Sequence, residues 1–349
     1  MKKRVLLGMS GGTDSSVAAM LLLEKGYEVT GITFLFSELT KKNDLIISDT
    51  QEICQNLAIE HRIADVRKPF EKLVVQYFIS EYIDGKTPFP CAVCNPHIKF
   101  KFLELLAKEY NCTYISTGHY ARTGQFNGKQ FIFTGTDPDK DQSFFLWGLH
   151  SALIGKLIFP LGFLQKTEVR NYAAKRGFSQ ISEKKDSLGI CFIEGNDYRK
   201  FLVSKGINTG KGNFVNETGE ILGSHNGIVN YTIGQRKGLG INSNIPLFVS
   251  ETRPETNEIV LSSFDNLFRR KLVIKNFFFN DSGEIQPDKI FTVKIRYRLQ
   301  NTPCNLQIIN EKTLSVELLE PLAMIANGQT AVFYDNERVV GGGFIESSL

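Results

Sequence analysis

Thiols form the first group of chemically capable side chains in this 349-residue sequence. Cys91 and Cys94 stand three positions apart, after the turn Thr87-Pro88-Phe89-Pro90 and just ahead of a helical stripe that begins at Lys99. A thiolate near a helix N-terminus has a lowered pKa and is the better nucleophile for it. Cys191 ends the polar-flanked stretch Asp186-Ser187-Leu188-Gly189-Ile190, which reads as a loop able to swing. Cys54 and Cys112 have apolar surroundings and Cys304 follows Pro303 in a β-rich region, so packing is their expected role. A zinc knuckle would need a second Cys-x-x-Cys, which the sequence lacks.

The second group is the run Gly8-Met9-Ser10-Gly11-Gly12-Thr13-Asp14-Ser15-Ser16, between an apolar segment and a helical one. Paired glycines let a backbone curl until successive N–H groups face one anion, and a following helix adds its positive end. The hydroxyls of Ser10 and Ser15 are further donors. No Gly-Lys-Ser/Thr ends the run, so it is not the common nucleoside-triphosphatase loop. The plainer alternative is a glycine turn before a helix capped by Ser10 or Asp14, which accounts for fewer of the residues. A thiol–disulfide oxidoreductase reading of Cys91 and Cys94 leaves this loop unexplained.

These residues need elements to hold them. Arg4–Met9 reads as a buried strand, Asp14–Lys25 as a helix stopped at Gly26, and Tyr27–Phe36 as a second strand. Thr50–Ala58 is expected to be helical, Glu60–Asp65 extended, Lys99–Tyr110 helical and Tyr114–Gly118 a strand, with another helix at Lys166–Lys175 closed by Gly177. Strand–helix alternation predicts an α/β fold, with a Rossmann-like parallel sheet and a ligand site at the strands' carboxyl ends. Beyond Gly206 the pattern changes to glycine-rich hairpins such as Phe214–Ile221, then to short alternating runs at Phe291–Leu299, Leu314–Leu319 and Ala331–Tyr334. The expected organisation is a catalytic domain over 1–200, a small central domain over 201–270 and a C-terminal β-barrel over 271–349.

Composition narrows the class. The chain is 42% hydrophobic and 22% charged with a net charge of +4, which suits a polyanionic partner without requiring one. The apolar run behind Lys2-Lys3-Arg4 is only Val5–Met9, too short for an export signal, and Phe144–Leu164 is broken by His150, Lys156 and Pro160. A cytoplasmic, reducing location with no membrane partner is the expectation, and it disfavours structural disulfides.

The loop resembles the signature of the ATP-pyrophosphatase superfamily, whose members split ATP between the α and β phosphates and pass AMP to a carbonyl-type oxygen. Further segments make the resemblance specific: Cys94-Asn-Pro-His-Ile-Lys-Phe100, Thr117-Gly-His-Tyr120, Asp141-Gln-Ser-Phe-Phe-Leu146, Phe159-Pro-Leu-Gly162, Lys185–Ile193, Thr232–Gly240 and Arg296-Tyr-Arg298. Along nearly its whole length the chain is similar to the bacterial tRNA-specific 2-thiouridylases, the MnmA/TrmU family.

The resemblance implies a mechanism and a set of residues. ATP with Mg²⁺ adenylates the C2 oxygen of the wobble uridine, and a persulfide on Cys191, loaded by a donor or relay protein, supplies sulfur, with Cys94 as the releasing nucleophile. Gly8, Met9, Ser10, Gly11, Gly12, Thr13, Asp14 and Ser15 would hold the pyrophosphate, with Asp14 acting through Mg²⁺, while Phe34 and Gly118 line the adenosine pocket. Phe89, Pro90, Cys91, His119, Lys140, Asp141, Gln142, Arg296, Tyr297 and Gln329 would meet the tRNA anticodon stem-loop. If 293–300 is one strand, Lys294, Arg296, Arg298 and Gln300 share a face that could track phosphates or simply face water.

At Cys91 the sequence departs from the family, which usually carries Asp there. The family's acid/base assignment at that position therefore does not transfer. The three cysteines Cys91, Cys94 and Cys191 then become candidate ligands of a [4Fe–4S] cluster with one iron open to sulfide, beside the simpler persulfide route. Two other activities compete with thiolation: a different adenylating synthetase of the same superfamily, and a tRNA-binding homologue without catalysis.

Overall fold

The computed structural model describes residues 3–184, 189–298 and 301–349. The stretch 185–188, which includes Asp186 and Ser187, and Leu299 and Gln300 lie outside the described residues. Two compact units form, one from Met1–Val74, Cys91–Phe192 and Glu337–Val340, the other from Val75–Pro90, Ile193–Asn336 and Gly341–Leu349.

In the first unit, β1 (Arg4–Gly8), β2 (Glu28–Leu35), β3 (Glu60–Asp65) and β4 (Tyr114–Thr117) form a parallel sheet. The hairpin β5 (Ala121–Phe126) and β6 (Lys129–Thr134) follows, then the short β7 (Leu157–Ile158), which joins the sheet in the order β3-β2-β1-β4-β7. Central β1 buries Val5, Leu6 and Leu7 in succession, as a strand covered on both faces must. Its neighbours β2 and β4 leave in opposite directions through the sheet, so a crevice opens at the carboxyl end of β1. There Gly8 is in register with Ile32 on one side and Thr117 on the other.

The helices of this unit include α1 (Thr13–Glu24), α2 (Thr40–Asn56), α3 (Phe100–Glu109), α4 (Lys166–Lys175) and α5 (Ser179–Glu183). Helix α1 packs Val17, Ala18 and Leu22 into the core, and Gly26 at φ 79 lets the chain turn back into β2. Helix α2 starts ten residues before the expected Thr50; the polar sequence Thr40–Asp44 carries no apolar stripe to announce it. Ahead of α3, residues Asn95–Lys99 form a π-helical turn, so the α-helix begins one residue after the expected Lys99. The β5–β6 hairpin, absent from the sequence pattern, turns on Asn127-Gly128, both at positive φ.

In the second unit, β8 (Gly212–Val215), β9 (Ile221–His225), β10 (Phe248–Arg253) and β11 (Glu258–Ser262) form a sheet in the order β10-β11-β8-β9. Then β12 (Arg269–Phe279), β13 (Ile290–Lys294), β14 (Thr302–Asn310), β15 (Thr313–Leu322), β16 (Thr330–Asp335) and β17 (Arg338–Ser348) follow, the last with its first three residues counted in the first unit. They run β12-β15-β14-β13-β16-β17, and pairing of β12 with β17 closes the expected barrel. One expectation fails: β13 ends at Lys294, and 295–298 bend and turn, so Arg296 and Arg298 do not continue a sheet face. Among the described residues no helix is long and apolar enough to cross a membrane.

Candidate active site

The loop after β1 meets the requirements of an anion cradle. Gly11 takes φ 66, and a side chain there would strike Asp49 Cβ at 2.9 Å. Gly12 is the N-cap of α1 and no side chain caps the helix, so neither Ser10 nor Asp14 plays the cap role of the plainer alternative. The Ser15 hydroxyl instead accepts from the Ser10 N–H at 3.2 Å and donates to Gly12 O, tying the loop's two ends together. Among the described residues, then, no side-chain cap occupies the helix's first-turn N–H groups at its positive end.

Asp14, in that first turn, is fixed from two sides. The Lys166 ammonium donates to Asp14 Oδ1 at 2.7 Å and the Tyr120 hydroxyl donates to the same oxygen at 2.8 Å. Lys166 opens α4, where a capping box between Gln165 and Glu168 sets the helix start, and its own N–H donates to Asp137 Oδ2 at 2.8 Å. Only 8% of Lys166 is exposed, so the pair neutralises a cation that burial alone would penalise. Gly118, at the end of β4, lies against the same turn: a Cβ there would stand 2.9 Å from both Asp14 C and Ser15 N. Phe34, at the end of β2, begins a file of rings through Phe36 and Phe70 to Phe192, with centroids 5.7, 5.3 and 5.5 Å apart in turn. Phe34 is therefore linked by packing to the residue after Cys191.

Cys91 and Cys94 are half-buried in the short helix Pro90–Cys94, and Cys191 is exposed. Burial pushes the Cys91 thiol up to about 11 and the Cys94 thiol up to about 12. Cys191 is near enough to raise both further, while the Lys99 ammonium opposes the rise at both. Lys99 also hydrogen-bonds the Cys94 sulfur through its backbone, a contact that the π-helical turn makes possible by bringing residue 99 back toward residue 94. The expectation of activated thiols is not met here, because desolvation outweighs the opposing influence of Lys99. Of the three cysteines expected to pack, Cys54 and Cys304 are buried and Cys112 is half-buried. Among the described residues no three His, Cys, Asp or Glu side chains are gathered as a metal ion needs.

His119 is half-buried between Phe100 and Phe159, with Nδ1 2.6 Å from the Thr117 hydroxyl, and burial holds its pKa well below 6.5. Of the segment 140–142, Asp141 is buried and accepts from the Gly135 and Ser143 N–H groups and the Ser143 hydroxyl. Gln142 accepts from the Tyr120 N–H at 3.1 Å, and Lys140 is half-buried.

The other candidate tRNA contacts lie in the second unit. Phe89 is half-buried beside Pro90, and Tyr297 is half-buried in the turn after β13. Arg296 and Gln329 line a cavity of about 340 Å³ with Thr87, Thr232 and Gln235. There Arg296 donates to Met324 O at 2.6 Å and Gln329 donates to Thr87 O at 2.9 Å. Sequence reasoning missed Lys99, Tyr120 and Lys166 as site residues. Lys99 and Tyr120 sit inside the matched segments, and Lys166 is marked only by the start of its helix.

Three family models match in succession: a tRNA methyl transferase HUP domain over residues 3–195, a tRNA methyl transferase PRC-barrel domain over 199–263 and an aminomethyltransferase beta-barrel domain over 269–345. A tRNA-specific 2-thiouridylase MnmA 1 of Bacteroides fragilis is 45% identical over 99% of this chain and 98% of its own length. An MnmA 2 of Phocaeicola vulgatus is 45% identical over 98% and 97%, and the MnmA of Cytophaga hutchinsonii is 40% identical over 100% and 98%. With the loop, the cysteines and the full-length match in hand, the chain belongs to the MnmA family of tRNA-specific 2-thiouridylases.

Proposed function

We propose that this chain activates the wobble uridine of tRNA with ATP and replaces its C2 oxygen by sulfur. The observation that carries the reading is the uncapped loop of α1 in the same unit as Cys91, Cys94 and Cys191. A methyl transfer, which the family models' descriptions would suggest, gives neither the loop nor the thiols a task.

The backbone N–H groups of Gly11 to Ser15 suit the β and γ phosphates, which leave together as pyrophosphate. Lys166 and Tyr120 hold Asp14 through Oδ1, so its Oδ2 is the oxygen suited to a Mg²⁺ that arrives with ATP. The uridine oxygen attacks the α phosphorus, the bond to pyrophosphate breaks, and C2 gains AMP as a leaving group. A terminal persulfide sulfur on Cys191 then bonds to C2 and the C–O bond to AMP breaks. Cys94 gives its thiol proton to solvent and attacks Cys191 Sγ, the S–S bond breaks with its electron pair moving to the C2 sulfur, and 2-thiouridine leaves a Cys94–Cys191 disulfide. A thiol reductant reopens the disulfide, and a persulfide donor or relay protein recharges Cys191.

In this reading residues 1–200 adenylate and transfer sulfur, while 201–270 and 271–349 hold the anticodon stem-loop, in the cytoplasm where that substrate is. The cavity lined by Arg296, Gln235 and Gln329 supports a polar nucleic-acid contact there. A second reading takes Cys91, in place of the family's Asp, as the third thiolate of a [4Fe–4S] cluster with Cys94 and Cys191. The observed side chains do not fit a metal as they stand, so the persulfide route is preferred.

Mass spectrometry of tRNA incubated with the protein, ATP, Mg²⁺ and a persulfide source tests the function. Sulfur gain at the wobble uridine with AMP release is expected, and Cys191→Ser should release AMP without thiolation. AMP release without thiolation in the wild type points to another adenylating synthetase; no AMP release points to a non-catalytic homologue. Iron uptake on anaerobic reconstitution, lost in Cys91→Ser together with activity, would favour the cluster.

A further inference from the structure

Lys184 is bound to the loop from outside it. Its ammonium donates to Gly11 O at 3.0 Å and to Asp49 Oδ2 at 2.6 Å. The Arg170 guanidinium fixes the backbone on which Lys184 stands, donating to Ser182 O at 2.7 Å and Lys184 O at 3.1 Å. The Thr13 hydroxyl donates to Ile181 O at 2.5 Å, so the segment and the loop grip each other in both directions.

A trans peptide points its C=O and N–H in opposite directions. When Lys184 holds the Gly11 carbonyl on the α2 side, the Gly12 N–H of the same peptide must face away from α2. A glycine pair without this tether could flip that peptide at little steric cost. The loop itself contains no basic residue to do the task. We propose that Lys184 is a positioning residue for pyrophosphate: it acts through the Gly11–Gly12 peptide, orienting the Gly12 N–H toward the anion. The inference rests on the reading that this loop binds ATP.

Inorganic pyrophosphate, with Mg²⁺, titrated calorimetrically into the full chain is the test, with Tm recorded for each variant. Lys184→Met is expected to weaken pyrophosphate and to raise the KM for ATP by about tenfold, the effect of one charge-assisted hydrogen bond, with the KM for tRNA unchanged. Lys184→Arg, which retains a donor for Gly11 O and a cation for Asp49, should restore most of the affinity. Wild-type affinity for pyrophosphate in Lys184→Met overturns the proposal. So does a loss that Arg does not restore and that comes with an equal change in the KM for tRNA, which marks a general structural role. If the wild-type chain itself binds neither pyrophosphate nor ATP, the reading of the loop fails instead.

Discussion

Lys166 and Asp14, 152 residues apart in sequence, meet at 2.7 Å beside the first turn of α1. The pair joins the start of α4 to the loop that follows β1, and Tyr120 adds its hydroxyl from the connection between β4 and β5. Lys166→Met leaves the carboxylate without its cation. Because a third of the Asp14 side chain is exposed, we expect a loss of about 2 kcal/mol, less than for a fully buried pair. Adding Asp14→Asn should recover part of it in urea denaturation. Both proteins should form AMP more slowly than the wild type.

Gly118 tests the same turn by volume. An added methyl group would meet Asp14 C and Ser15 N at 2.9 Å, and these are backbone atoms that move only with α1. Gly118→Ala is expected to lower ATP affinity by about tenfold, within the usual cost of overpacking. Gly26→Ala is the control. At φ 79 with nothing within 4 Å, it carries backbone strain only, so Tm should fall while ATP affinity stays.

The strand–helix alternation and the barrel were legible because each follows a hydrophobic period. Asp14 and the glycines were legible because the loop is contiguous. Lys166 was not, since its role depends on a helix start 152 residues away landing beside α1. Lys99 stayed hidden for a local reason: only a π-helical turn carries it back to Cys94, and nothing in Asn95–Lys99 signals that turn. The basic stripe from Lys294 failed because alternation does not specify where a strand stops, and Arg296 turns instead to Met324 O.

Cys94, its thiol pushed up to about 12 by burial, rests protonated at neutral pH. Its alkylation rate should still climb above about pH 9, where an ordinary cysteine is already levelling off. Lys99→Met removes the cation that favours the thiolate, so alkylation at about pH 8 should slow roughly tenfold, one unit of pKa. The folded chain keeps protons here that the unfolded chain releases near 9.0. This contribution to stability is therefore complete below that pH and is lost as pH rises through the folded values of Cys91 and Cys94. Mass-spectrometric alkylation against pH, in the wild type and Lys99→Met, measures the reactivity.

His119 gives the opposite sign. Burial first, and Lys99 second, hold its pKa well below 6.5, so the folded ring stays neutral while the unfolded chain gains a proton as pH falls past that value. Stability from this group is present above about pH 6.5 and declines below it, by up to about 1.4 kcal/mol per pH unit. His97 and His61 are lowered too and contribute a similar acid slope, so only the difference between wild type and His119→Gln isolates this ring. Urea midpoints at about pH 7.5 and 5.5 should therefore fall further for the wild type than for the variant. An equal decline in both proteins would mean that the folded ring takes up the proton, despite its place between Phe100 and Phe159.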